Sequence, residues 1–395
     1  MKTLADAKFN KMEFAGALGD LGTFVPLFIA LVSINGLNPA VTLNIMGVFY
    51  VFCGVYYKLP VPVQPLKAVA AIAIVSGLSI SVISASAILM GIILLLLSAG
   101  GLIEHLNRIF SKPIIRGMQL GLGLMLIKAA STMIFGSMSS SNQATLINNT
   151  NLPVYLVTLL GGIIIMLVFL FNKRFPASIG IISFGIIISI FWGHSSISTL
   201  PLFETKGFNF IFPSLKDFMI AGIVLVVPQL PLTLGNSIVA TEDTAKLYFG
   251  VKAKKVTAKS LSVGLGITNI IAGFFGGMPV CHGSGGLTAH YSFGARTGGA
   301  PIIIGAICLL LSLFFGGGVS EVLKVIPLSI LGIMLFYVGL QHALLISDIK
   351  DRKELIFSAG VGVCALLTNN LAIAYGIGLL FWYLMKYSAK NKSFA

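Results

Sequence analysis

Charge is what this sequence has least of. Only 10% of its 395 residues are Asp, Glu, Lys or Arg, against roughly a quarter in an ordinary soluble domain, and that scarcity excludes a soluble fold. The four cysteines, Cys53, Cys281, Cys308 and Cys364, stand singly among apolar residues without CxxC spacing. That excludes a disulfide framework and a zinc site and leaves them as small core filler. HExxH, GxSxG, a paired catalytic carboxylate and an ATP-binding motif are all absent. An intramembrane enzyme is therefore the least supported class, and no cofactor or metal is expected.

What is present is apolar. Hydrophobic residues make up 56% of the chain, and uncharged runs cover 21–57, 68–103, 129–172, 219–241, 260–295, 325–347 and 355–385. A membrane-spanning helix needs ~20 apolar residues, so several runs hold two spans. Hydropathy and Gly/Pro breaks predict fourteen segments near 14–34, 40–57, 60–78, 82–103, 114–135, 153–171, 176–193, 218–241, 256–276, 278–295, 298–316, 322–345, 355–368 and 371–386. The first is too long for a signal-peptide core and reads as a retained span. The fold class is all-α and polytopic.

The net charge of +14 points to the bilayer rather than to nucleic acid, because the cations sit between apolar segments and not on an aromatic-laced soluble face. With a cytosolic amino terminus, all of the 26 Lys and Arg fall inside except Lys206, Lys216 and Lys324 outside and Lys67 and Lys128 in the membrane. Both termini are then cytosolic, and the uncharged stretch 136–152 is external. Its Asn148-Asn149-Thr150 triplet carries little weight.

Seven segments per half is odd, so related halves would be inverted in the bilayer, as in many secondary transporters. The predicted division is a first repeat over 1–193, an extracellular connection over 194–217 and a second repeat over 218–395. The third segment of each half is the one broken by proline and glycine: LPVPVQPLK at 59–67 and GGMPVCHGSGG at 276–286. Pro60, Pro62 and Pro65 cannot continue a helix. An extended run and then a half-helix beginning near Pro65 are expected, matched by extended 278–282 and a half-helix opening at Gly283–Gly286.

Irregular backbone at membrane depth survives only where protein or a wet cavity satisfies it. Helix amino termini offer free amides and positive dipole ends, so two facing each other favour an anion. Lys67 lies in the first turn of one half-helix, where it serves either a bound anion or a snorkelling path to the surface. Gln64 and Ser284 are candidate donors or simple caps, and Gly283 and Gly285 permit close backbone approach. His282 binds an anion, carries a proton or bonds backbone. Asp20, alone in GALGDLGTFVP at 16–26, either pairs with a lysine or takes up a coupling proton, and Lys128 in the fifth segment either neutralises it or reaches an interface; Thr23 lies a turn further. VVPQLPLTLGNS at 226–237 places Gln229, Thr233 and Asn236 mid-membrane as substrate contacts or packing glue, with glue favoured for Asn236. Gly117, Gly121, Gly264, Gly266 and Gly273 have the spacing of close helix contacts.

PVPVQPLKAVAA at 60–71, FGGMPVCHGSGGLTAHYSFGARTGG at 275–299 and GALGDLGTFVPL at 16–27 resemble the signature motifs of the molybdate transporter family, a branch related to sulfate permeases. The resemblance implies a sulfate/uracil permease-like fold of fourteen segments divided into core and gate, with substrate between the third and tenth. By similarity Gln64, Lys67, His282, Gly283, Ser284 and Gly285 become substrate-site candidates, with Thr23 and Gln229 beside them and Asp20 as the candidate for coupling. Arg296 is structural or gates. Two departures touch selectivity: His290 stands where glutamine is expected and Leu66 where methionine is usual. The chain ends at Ala395 without the cytosolic domain of most sulfate permeases, as in the molybdate branch.

The reading is an elevator-type secondary transporter importing a tetrahedral oxyanion, molybdate first, through the cell membrane. Moving two negative charges inward costs ~4.6 kcal/mol per 100 mV, so proton symport or trapping is required. Sulfate or tungstate carriage, a nucleobase permease and an anion channel are the alternatives. A nucleobase permease is expected to use acids in segments eight and ten, which have none mid-membrane. Coupling ion and a homodimer stay open.

Overall fold

The structure, a computed structural model, describes residues 7–103, 111–139, 152–171, 177–191, 209–318 and 326–392. The Asn148 triplet, Lys206 and Lys324 lie outside the described residues. The described residues are helical nearly throughout. In order come α1 (Lys11–Leu18), α2 (Leu21–Asn35), α3 (Pro39–Tyr57), β1 (Gln64–Pro65), α4 (Lys67–Ser76), α5 (Ile80–Ala99), α6 (Lys112–Ser139), α7 (Leu152–Phe171) and α8 (Ala177–Phe191). The long helical stretch α9 (Leu215–Lys255) follows. Then come α10 (Ala258–Phe274), β2 (Val280–Cys281), α11 (Ser284–Ser292), α12 (Gly299–Phe315), α13 (Leu328–Ala343), α14 (Arg352–Thr368) and α15 (Leu371–Lys392).

Helix ends follow the sequence chemistry. Asn38 accepts from the Ala40 and Val41 amides ahead of Pro39 at the first helical position of α3, Asp351 accepts from Lys353 and Glu354 at α14, and Thr257 and Ser260 form a reciprocal capping box at α10. Among the described residues five helices are long and apolar enough to cross a bilayer, or six if α1 and α2 form one bent span. Large apolar side chains face outward along them, Leu96, Ile164 and Leu313 each being more than half exposed. On a soluble protein such a surface would drive association; here lipid covers it.

The helices meet through small residues. A Cβ on Gly117 would sit 2.8 Å from Ser358 O in α14, and one on Gly121 2.5 Å from Ala365 Cβ. A Cβ on Gly266 would lie 2.7 Å from Leu95 and one on Gly273 2.5 Å from Ile88, both in α5. Gly264 differs: a Cβ there would meet Phe49 at an ordinary 3.5 Å. With no hydrophobic drive between helices in lipid, close backbone approach supplies the packing. The most extensive pairings are α6 with α13, α3 with α12, and α5 with α10.

Two expectations need correction. Residues 14–34 are not one rod, because α1 and α2 bend by 47° at Gly19-Asp20. Asp20 stands at the head of α2 without capping it; its carboxylate is engaged elsewhere. Pro65 does not open a helix either. It pairs within β1, and α4 starts at Lys67.

β1 and β2 form a two-stranded antiparallel ribbon, Gln64 opposite Cys281 and Pro65 opposite Val280. Inside a membrane protein each of its backbone groups needs a partner. Three prolines reduce the demand by lacking N–H. Carbonyls that remain are met from all sides: Tyr50 Oη donates to Val63 O at 2.5 Å, His282 Nδ1 to Pro62 O at 2.7 Å, and Cys281 Sγ to Pro65 O at 3.2 Å. The Asn269 side chain clamps Val280 through both its N–H (2.7 Å) and its C=O (2.8 Å). The ribbon is thereby fixed, and α4 and α11 depart from it.

Candidate functional site

A cavity of about 140 Å³ lies where α4, α9 and α11 meet α6 and the end of α13, roughly ten times the space one water needs. Its wall carries Lys67, Gln229, Asn236, Ser284 and Gly285 on one side and Arg116, Gln119 and His342 on the other. Cys281, core filler by its sequence context, also reaches it. A larger apolar groove of about 590 Å³ between α3 and α10 is lined by outward-facing residues such as Val48 and Phe52 and has no cationic lining, so it offers an ion nothing.

The two helix starts are finished differently. In α11 intrahelical bonding begins with Leu287 N–H to Gly283 O, and Gly283 makes no side-chain cap. The amides of Ser284, Gly285 and Gly286 have no acceptor among the described residues, as the first turn of a helix leaves them. A Cβ at Gly285 would meet nothing within 4 Å, so this turn opens onto space. In α4, by contrast, the Ala68 and Val69 amides donate to Gln229 Oε1 at 2.8 and 3.2 Å.

Gln229 comes from α9, whose prolines at 228 and 231 remove donors from the helix ladder. The helix widens into π turns at Ala221–Val226 and Thr233–Val239 on either side, a distortion common at functional sites. Because amides can only donate, the Gln229 oxygen must face α4 and its Nε2 the other way. One N–H of Nε2 goes to Thr233 Oγ1 at 3.0 Å, leaving the second toward the cavity. Ser284 Oγ donates to Asn236 Oδ1 at 2.9 Å, so the serine hydroxyl proton is spent and the Asn236 amide nitrogen remains as donor. The Lys67 ammonium has no ion-pair or hydrogen-bond partner among the described residues.

Five residues singled out in the sequence, Asp20, Thr23, Gln64, His282 and Gly283, do not line the cavity. Gln64 does not point at the cavity: its Nε2 donates to Asp20 Oδ1, both side chains being buried. A Cβ at Gly283 would lie 2.5 Å from Gln64 Oε1 and 3.7 Å from Lys67 Nζ, and one at Gly286 3.0 Å from Asp20 Oδ1. Asp20 and Gln64 thus support the α11 turn from behind. Lys128 does not neutralise Asp20; its Nζ donates to Asn369 at 2.8 Å. His282 fastens the ribbon and packs against Phe49 and Tyr57, and Thr23 also lies off the cavity. Arg296 stacks on the Tyr291 ring at 3.7 Å, while buried Glu13 accepts the Arg296 and Thr297 amides at 2.9 Å each; His290 Nδ1 bonds Gly16 O at 2.7 Å. These contacts tie α1 to the turn after α11.

Sequence reasoning missed Arg116, Gln119, Ser237 and His342 as cavity residues. Arg116 and Gln119 are three apart and therefore share a face of α6, a signal that the sequence does carry. By charge sorting alone Arg116 is one more inside cation. Asn236, glue by its sequence context, is both glue and wall.

A many-helix membrane protein with a cavity lined by donors is built to carry a solute, and comparison with known proteins agrees with that class. The chain matches the family described as "Molybdate transporter of MFS superfamily" over residues 12–126 and 221–341; it belongs to that molybdate transporter family and is a transporter, not an enzyme. It is 29% identical to Molybdate transporter 2 of Arabidopsis thaliana over 95% of this chain and 87% of that protein, and 29% identical to Molybdate transporter 1 of the same plant over 98% and 90%. In fold it is similar to the transmembrane domain of a cyanobacterium bicarbonate transporter, BicA (TM-score 0.67, 17% identity, 92% of this chain and 97% of that one). It is likewise similar to the murine anion transporter Slc26a9 (TM-score 0.66, 17% identity, 98% and 70%).

Proposed function

We propose that this protein imports a tetrahedral oxyanion, molybdate first, bound between the open first turn of α11 and the Lys67 ammonium. One observation carries the reading: the cavity wall presents two cations and several amide donors but no carboxylate. A dianion there gains charge-assisted hydrogen bonds, and the α11 dipole adds to them. Backbone amides of Ser284, Gly285 and Gly286, Gln229 Nε2 and Lys67 Nζ are its ligands. Gly283 lets the ribbon and Lys67 approach. A nucleobase carrier would want an acid at this wall.

Fourteen segments in two inverted repeats, 1–193 and 218–395, describe the carrier. The pairing of α3 with α12 and of α5 with α10 exchanges into itself when the halves are swapped, and an antiparallel ribbon aims the half-helices α4 and α11 oppositely. α4, α9 and α11 then belong to a moving core, and α6 and α13 to a gate, with the cavity on the boundary an elevator would slide across. Both termini face the cytosol of a cell-membrane carrier. Asp20, hydrogen-bonded to Gln64 behind the anion turn, is placed to take up a coupling proton as the anion's charge arrives.

The test is purified protein in liposomes with radiolabelled molybdate, with and without excess sulfate or tungstate, and the same assay with Lys67→Ala. Losing a charged hydrogen-bonding partner at ~1.5–3 kcal/mol lowers affinity about tenfold to a hundredfold. Absence of uptake by the unaltered protein sinks the substrate; normal uptake by K67A sinks the site. Currents too fast for a carrier would show a channel.

A further inference from the structure

The cavity's second cation is held by a carboxylate that does not belong to the cavity wall. Arg116, near the start of α6, donates through Nε to Asp348 Oδ1 at 3.0 Å and through Nη2 to Asp348 Oδ2 at 2.6 Å. Its Nη1 donates to Gln119 Oε1 at 2.7 Å. A guanidinium has five N–H groups in a planar fork, so one on Nη1 and one on Nη2 have no acceptor among the described residues. These two lie on the arginine that faces Lys67's cavity. Lys112 Nζ stands 3.3 Å from the same Asp348 carboxylate, so Asp348 keeps a cation when Arg116 turns away.

Resting on the oxyanion-carrier reading above, we propose that Arg116 is a second anion subsite, on the side that the charge sorting assigns to the cytosol, and that Asp348 is its built-in competitor. An oxyanion leaving Lys67 and the α11 turn meets the Arg116 fork next. Arg116 exchanges the Asp348 carboxylate for substrate oxygens, Lys112 retains Asp348, and the return of Asp348 releases the anion. A merely structural ion pair would instead fasten α6 to the turn after α13, with no bearing on affinity.

Equilibrium binding of radiolabelled molybdate to the full-length protein in lipid nanodiscs separates these. Asp348 is 42% exposed, and an exposed pair of good geometry is worth at most about 1 kcal/mol, which converts to about fivefold. Asp348→Asn should therefore tighten molybdate binding about threefold to fivefold. Arg116→Lys, which keeps charge but loses the fork, should weaken it, and R116Q with D348N should bind like R116Q alone. Unchanged or weaker binding by D348N overturns the proposal, as does an R116K variant that binds like the unaltered protein. If R116Q does not fold, the D348N and R116K arms decide. Lys67→Ala is run beside them: absence of binding by the unaltered protein refutes the substrate, K67A binding normally refutes the Lys67 site, and both are visible independently of Arg116.

Discussion

The amino ends of α4 and α11 leave the same ribbon, yet one is closed and the other open. At α4 a glutamine from α9 takes two amides; at α11 the amides of Ser284, Gly285 and Gly286 have no side-chain cap and no acceptor among the described residues. The difference lies in the three residues that open each helix. Lys67-Ala68-Val69 carries a side chain at every position, whereas Ser284-Gly285-Gly286 is nearly bare. Two equally open turns would leave five or more unsatisfied amides at membrane depth whenever substrate is absent, each costing several kcal/mol. Closing one with Gln229 limits that cost while its Nε2 passes α4's positive end on to the cavity.

The comparison is most sharply broken at Gln229. Gln229→Glu should still accept the α4 amides, so the thermal midpoint in detergent should barely move, but it replaces a donor with a negative charge facing a dianion. Like charges in contact cost several kcal/mol, and molybdate affinity should fall at least about a hundredfold. Retained binding would mean that the anion sits away from α4.

Next in size is the contrast within α11. A methyl on Gly286 meets Gln64 Nε2 at 2.5 Å, Pro62 Cβ at 2.9 Å and Asp20 Oδ1 at 3.0 Å, so Gly286→Ala should destabilise by about 1–3 kcal/mol, seen as an earlier melt. Gly285→Ala projects into space and should stay within about 0.5 kcal/mol in stability while weakening anion binding by crowding the cavity. Equal melting of the two variants would contradict the orientation of the turn.

The smallest effect belongs to Ser284→Ala. It removes one hydroxyl bond to Asn236, worth about 0.5–1.5 kcal/mol, and leaves the Ser284 amide in place. Binding should weaken about twofold to tenfold by titration. A loss as large as that of K67A would make the hydroxyl, rather than the backbone, the ligand.

How much of this is legible in the sequence differs by residue. Lys67 at the head of α4 and the bare Ser284-Gly285-Gly286 turn are readable, since proline and glycine act on their own backbone. Gln64 is not. A glutamine beside a lysine at a helix start looks like a ligand, and only the bend between α1 and α2 brings Asp20 close enough to claim it. The same bend is hidden because Gly19-Asp20 interrupts an otherwise unbroken apolar run. Lys128 and Asp20 look complementary in charge, but α6 carries Lys128 to Asn369 instead.

Composition by itself determined that this chain lives in a bilayer, and its Pro and Gly clusters determined where helices could not continue, because transfer to lipid and backbone torsion are properties of short stretches. Which polar groups face one another was settled only by packing. A residue's direction changes by about 100° with each step along a helix. Gln229 therefore reached α4, Arg116 reached the cavity and His282 turned behind the ribbon through contacts with partners 161, 232 and 220 residues away in the chain.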